Sequence, residues 1–105
     1  MIARIWRGRT AAVKSEEYLA YLQRTGLPDY AATEGNRGVF VLRRVDGDHA
    51  EFLLMSLWES WDAIRRFAGE DVERAVYYPE DDDYLLGREL KVEHYEVSAA
   101  PSLSK

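Results

Sequence analysis

Phe52-Leu53-Leu54-Met55-Ser56-Leu57-Trp58-Glu59-Ser60 is the stretch that decides how this chain folds. A short apolar run ending in Trp reads as a strand with both faces buried. Glu59-Ser60 closes it, and Trp61, Ile64, Arg65 and Phe67 follow in an amphipathic helical pattern. Ser60 is placed to cap a helix from Trp61 to about Ala68, and Gly69 to stop it.

Upstream, Gly38 to Val45 and His49 to Trp58 flank Asp46-Gly47, a strong hairpin signal. A two-residue Asp46-Gly47 loop sets Val41 opposite Phe52 and Phe40 opposite Leu53. One sheet face then carries Val39, Val41, Phe52, Leu54 and Trp58, and the other Phe40, Leu42, Leu53, Met55 and Leu57. A sheet covered on one side only would alternate apolar and polar residues. Here both faces are apolar, so both need a cover.

The flanks complete the plan. Ile2 to Arg9 reads as a strand. Lys14-Ser15-Glu16-Glu17 opens a helix, with Ser15 as its expected N-cap and Tyr18, Leu19, Tyr21 and Leu22 as its apolar stripe. Gly26 and Pro28 end or bend it, and Asp29 to Ala32 adds another turn or two. Val72 to Tyr78 is expected as a helical turn broken by Pro79, and Glu80-Asp81-Asp82-Asp83 as an exposed acidic loop. Glu89 to Val97 is the last strand, with Leu90, Val92 and His94 on one side and Tyr95 and Val97 on the other. Residues 1–97 form one domain, and 98–105 a flexible tail.

The order β-α-β-β-α-β predicts an α+β, ferredoxin-like fold: a four-stranded antiparallel sheet with helices on one face. At least four large apolar side chains would remain on the other face, each worth about 1.5–3 kcal/mol when buried. Their sum, of order 10 kcal/mol as an upper bound, rivals the whole stability of a small domain, about 5–15 kcal/mol. Two sheets stacked face to face in a homodimer would hide this surface.

Composition excludes several classes. The chain has 105 residues, 31% of them charged, and a formal charge of −5. That balance argues against nucleic acid, which is bound through clustered Lys and Arg. The absence of cysteine removes disulfide scaffolds, thiolate metal sites and cysteine nucleophiles. No apolar run approaches the roughly 20 residues of a membrane span. No secretory signal is visible, which makes the cytoplasm the expected location. His49 and His94 are far apart in sequence and make no metal site; the acidic run lacks the spacing of a calcium loop.

The element order, the Leu57-Trp58-Glu59-Ser60 junction, the helix after it, and the final strand around His94-Tyr95-Glu96-Val97 resemble the antibiotic biosynthesis monooxygenase domain family of the dimeric α/β-barrel superfamily. The resemblance covers nearly all of Ile2 to Val97. It includes cofactor-independent monooxygenases and haem-degrading enzymes, and one fold hosts many functions. The haem-degrading pattern has an Asn in the first strand, a Trp on the second helix and a His just beyond it. This chain has Trp6-Arg7, Phe67 and Tyr77 at those places. The resemblance therefore implies the cofactor-free branch: a pocket between sheet and helices holding an aromatic or polycyclic small molecule, with no cofactor or metal. A base, an anion-stabilising donor and a dry cavity suffice for that chemistry. On this reading His94 is the base or a hydrogen-bond partner, and Arg4 or Arg7 stabilises the anion. Trp6, Trp61, Phe67, Tyr77 and Tyr78 are the walls.

Each of these residues admits a plainer role. His94 also suits a dimer interface, and Trp61, Ile64 and Phe67 suit a helix face packed on the sheet. Arg4 and Arg7 face opposite sides of their strand, so only one can enter a pocket and the other is expected to pair with an acid. The alternative function is a non-catalytic dimeric protein of the same fold that binds a small hydrophobic ligand or serves as an accessory.

Overall fold

A computed structural model of the protein describes residues 1–100. The elements are β1 (Ile2–Ala11), a 3-10 turn (Ala12–Lys14), α1 (Ser15–Arg24), α2 (Gly26–Ala32), β2 (Asn36–Asp46), β3 (His49–Trp58), α3 (Trp61–Ala68), α4 (Asp81–Tyr84), β4 (Leu85–Arg88) and β5 (Glu93–Glu96). The sheet is antiparallel in the order β2-β3-β1-β4, with β5 also pairing β1. The fold is α+β and ferredoxin-like, and the sheet is open.

The expected single last strand is two. Leu85–Arg88 pairs with the second half of β1 and Glu93–Glu96 with the first half. Between them the chain leaves β1 to bond a different partner. Ala75 N donates to Leu90 O, Val92 N donates to Glu73 O, and Arg74 bridges Lys91. The sheet therefore has five strands rather than four, and Leu90 is left exposed while Val92 is buried.

The hairpin turns at Gly47-Asp48, because Gly47 supplies the positive φ (+62°) of the first corner. Asp46 pairs His49, so Val41 faces Leu54 and Phe40 faces Met55. This register differs by two residues from an Asp46-Gly47 loop, and a two-residue shift leaves every side chain on its expected face. Val39, Val41, Phe52, Leu54 and Trp58 do form the face under the helices, packed with Tyr18, Tyr21, Leu22, Tyr30 and Ile64. On the opposite face Phe40 and Leu42 are 46% and 48% exposed, Leu53 and Met55 are half-buried, and Leu57 is buried.

Local chemistry accounts for the helix ends. Ser60 Oγ accepts from Ala63 N at 3.2 Å, and Gly69 leaves α3 at φ +88°. Ser15 is not a cap: it is the first residue of α1, and its Oγ accepts from Arg43 Nη1. Helix α1 breaks at Thr25, and Pro28 sits in the first turn of α2, where it lacks no needed donor.

Residues 72–78 are not helical. Val72 and Glu73 form a turn, Arg74 a bridge, and 75–78 run irregularly. Nor is the acidic run a loop. Asp81 begins the short helix α4 and is 3% exposed. Among the described residues no helix is long and apolar enough to cross a membrane. Residues 101–105 of the expected tail lie outside the described residues.

Candidate active site

A cavity of about 30 Å³ lies between the sheet and the helices. Strand parity sends Arg4 and Trp6 of β1 and Leu54 of β3 into it from below. Tyr18, Leu22, Gly26 and Tyr30 of α1 and α2, with Phe67 of α3, close it from above. Val76, Tyr77, Tyr78 and Asp81 form its wall beside Val92.

Arg4 is 2% exposed. Its Nη1 donates to Val72 O, its Nη2 donates to Arg74 O at 3.0 Å, and its Nη1 lies 3.1 Å from His94 Nε2. The guanidinium carbon stands 5.8 Å from the centre of the Phe67 ring. Among the described residues no carboxylate pairs with it, and burial lowers its pKa. A guanidinium does not lose its proton in a protein. The result is a fixed positive charge, held by carbonyls and an imidazole, against an aromatic cavity.

The ring of Trp6 lies along β1 over Gly8. Its Nε1 donates to Tyr77 Oη at 2.7 Å, and that hydroxyl donates to Glu89 O. Tyr78 Oη donates to Asp29 Oδ2, fastening the wall to α2. Tyr78 N donates to Asp81 Oδ2 at 2.6 Å. Burial raises the pKa values of Asp81, Tyr18 and Tyr78, and pushes Tyr30 up to about 12.

Of the residues expected from sequence, Arg4, Trp6, Phe67, Tyr77 and Tyr78 line this one cavity. Arg7 lies on the other sheet face and pairs with Glu93. Trp61 is exposed and tilted against His94, ring centres 5.0 Å apart. Both line a separate hollow of about 430 Å³ on the outer surface, with Glu73 and Tyr95. His94 thus reaches the cavity only through Arg4. Its pKa is lowered by burial and by the Arg4 charge, and the neutral ring accepts from Arg4.

Sequence reasoning missed Tyr18, Tyr30 and Asp81. Tyr18 read as ordinary core stripe, and Tyr30 lay without a role in the turn expected over Asp29 to Ala32. Asp81 read as one of four solvated acids. Its only available signal was its position two residues after Pro79, where a turn can bring a side chain back on the backbone.

No family model matches the sequence, and no curated protein matches it. Solved structures do. A candidate antibiotic biosynthesis monooxygenase from Bacillus cereus superposes with a TM-score of 0.70 at 17% identity, covering 100% of this chain and 98% of that one. An Arg-to-Ser variant of MhuD, holding two manganese protoporphyrin IX molecules per active site, gives 0.67 at 19% identity over 95% and 97%. An uncharacterised NIPSNAP domain protein from Burkholderia xenovorans gives 0.59 at 18% over 100% of each chain. Likeness at such identities shows the fold: this is the ferredoxin-like α+β fold of the antibiotic biosynthesis monooxygenases.

Proposed function

We propose that this chain belongs to the antibiotic biosynthesis monooxygenase family and is a cofactor-independent monooxygenase acting on an aromatic small molecule. The observation that carries this reading is Arg4: a buried guanidinium without a carboxylate partner, turned to an aromatic cavity. Such a charge favours a substrate that becomes anionic there. Loss of a proton from an activated ring carbon gives a carbanion delocalised onto a ring oxygen. That anion reduces O2. One oxygen atom becomes the new carbonyl oxygen, and the other leaves as water with both hydrogens of the ring carbon. Trp6, Phe67, Tyr77 and Tyr78 hold the ring and exclude water. Arg4 stabilises the anion, and His94 orients Arg4.

A porphyrin does not fit these residues. No histidine lines the cavity, and the Tyr77 hydroxyl is engaged by Trp6 and Glu89. A second reading of the same site is a non-catalytic binder of a small ligand. For a polycyclic substrate the wall at Tyr77-Tyr78 has to swing out.

The protein acts as a homodimer through the open sheet face, where Phe40 and Leu42 are half exposed. Covering those halves contributes about 2 kcal/mol per chain.

Oxygen uptake with hydroxylated polycyclic ketones and phenols, without added flavin or metal, tests the proposal. Uptake that falls at least tenfold in Arg4→Lys supports it. No uptake, with a ligand that still raises the melting temperature, favours the binder.

A further inference from the structure

We propose that Asp81 is the proton acceptor of this cavity, which Arg4 also lines. The two charges line the same small space, yet they do not pair with each other. Arg4 lies 5.8 Å from the centre of the Phe67 ring, and Asp81 is bound to Tyr78 N. The cavity thus carries one cation and one acid among aromatic side chains.

Asp81 is bound in a way that leaves it free to take a proton. Its Oδ2 accepts from Tyr78 N at 2.6 Å. Its Oδ1 has no hydrogen-bond partner among the described residues. No fully enclosed side-chain oxygen or nitrogen among them lacks a partner, so Oδ1 is not sealed in protein. Asp82, the next acid, is exposed and paired with Arg88 at 2.6 Å. Burial raises the pKa of Asp81 above that of an ordinary carboxyl, which brings its basicity nearer to neutral pH. His94, the other base considered, has its Nε2 occupied by Arg4 and lies outside the cavity.

The step balances within the protein. A ring C–H bond breaks, and the proton passes to Asp81 Oδ1. The electron pair stays on the ring and collects on the carbonyl oxygen near Arg4. Nothing is oxidised or reduced in this half of the reaction. The substrate class is that of the proposed function, and a planar ketone with an acidic ring CH2 group serves to probe it. The inference rests on the cavity being the reaction site, and not on oxygen being the reagent.

Anthrone, a tricyclic ketone of this class, is the probe. Without oxygen in D2O, the enzyme should speed deuterium entry at its CH2 group, read by mass spectrometry. Asp81→Asn keeps an oxygen to accept Tyr78 N, and circular dichroism checks its fold. Exchange should fall by about 10²-fold or more in Asp81→Asn, with anthrone binding retained by fluorescence quenching, while Asp82→Asn, a change at the exposed neighbouring acid, keeps most of it. Three results would overturn the assignment: no exchange above buffer with the wild type, wild-type exchange in Asp81→Asn, or an equal loss in Asp82→Asn. Aerobic uptake separates the two readings. Asp81-dependent exchange without oxygen uptake supports Asp81 and removes the monooxygenase. Oxygen uptake unaffected by Asp81→Asn keeps the monooxygenase and removes Asp81.

Discussion

Gly8→Ala should destabilise this protein, although glycine to alanine at an ordinary extended position stabilises by about 0.4–1 kcal/mol through the unfolded state. Gly8 has no positive φ that would demand glycine. What demands it is Trp6, two residues earlier on the same face of β1. A methyl carbon at Gly8 would lie 2.2 Å from Cη2 of the indole and 2.6 Å from Cζ2, where ordinary contact is 3.4–4 Å. The ring cannot slide freely, because its Nε1 is held by Tyr77 at 2.7 Å. Overpacking of this kind costs about 1–3 kcal/mol, and loss of the buried hydrogen bond about 1–3 more. Net of the backbone gain, the cost of Gly8→Ala should lie within about 1–5 kcal/mol and centre near about 3 kcal/mol. At about 4–8 °C per kcal/mol, the melting temperature falls by roughly 10–20 °C. Urea denaturation of Gly8→Ala, Trp6→Leu and the double variant gives the answer. With the indole gone, the alanine should be neutral or stabilising, so the cycle should show about 2 kcal/mol of coupling. A stabilising Gly8→Ala in the wild type, or an equal cost in both backgrounds, refutes the reasoning.

Three further outcomes are expected. Ser56→Ala removes the oxygen that accepts from the buried Trp58 Nε1 at 2.8 Å, and should cost about 1–3 kcal/mol in chemical denaturation; a change under 0.5 kcal/mol would show that a water replaces it. His94 has a depressed pKa because it is buried beside Arg4, with Glu73 only partly opposing. The unfolded chain therefore takes up the proton first, and stability falls as pH drops through about 6.5 toward the lowered value. Denaturation across that range should show this dependence in the wild type and not in His94→Phe. Replacing Phe40 and Leu42 by Lys should give a monomer in sedimentation velocity at micromolar concentration, with unchanged circular dichroism. A monomeric wild type would remove the dimer altogether.

The part of the fold legible in the sequence is the part governed by short-range rules. Ser60 and Gly69 bracket α3 where capping chemistry puts them, and strand parity separates Arg4 from Arg7. The hairpin faces survive a register shift because alternation has a period of two. Long-range pairing was not legible. Nothing in Leu90 to Val92 announces that these residues leave β1 for the segment Glu73 to Ala75, so one strand was expected where there are two. Asp81 was lost among its acidic neighbours, since composition sees four carboxylates where the fold buries one. The same limit governed the site. Aromatic residues near the sheet were readable as walls, but whether Trp61 or Tyr30 reached the cavity depended on how α2 and α3 lean, which no spacing encodes.

The carbonyls that hold Arg4 belong to Val72 and Arg74, in the very segment that continues into the wall at Tyr77-Tyr78. Recognition and opening therefore share one fastening. An anion that draws the guanidinium toward itself must loosen its grip on that segment, and a segment that swings outward must release the guanidinium. A neutral guest has to move the wall by itself, and only the anion formed inside competes with the two peptide oxygens for the guanidinium.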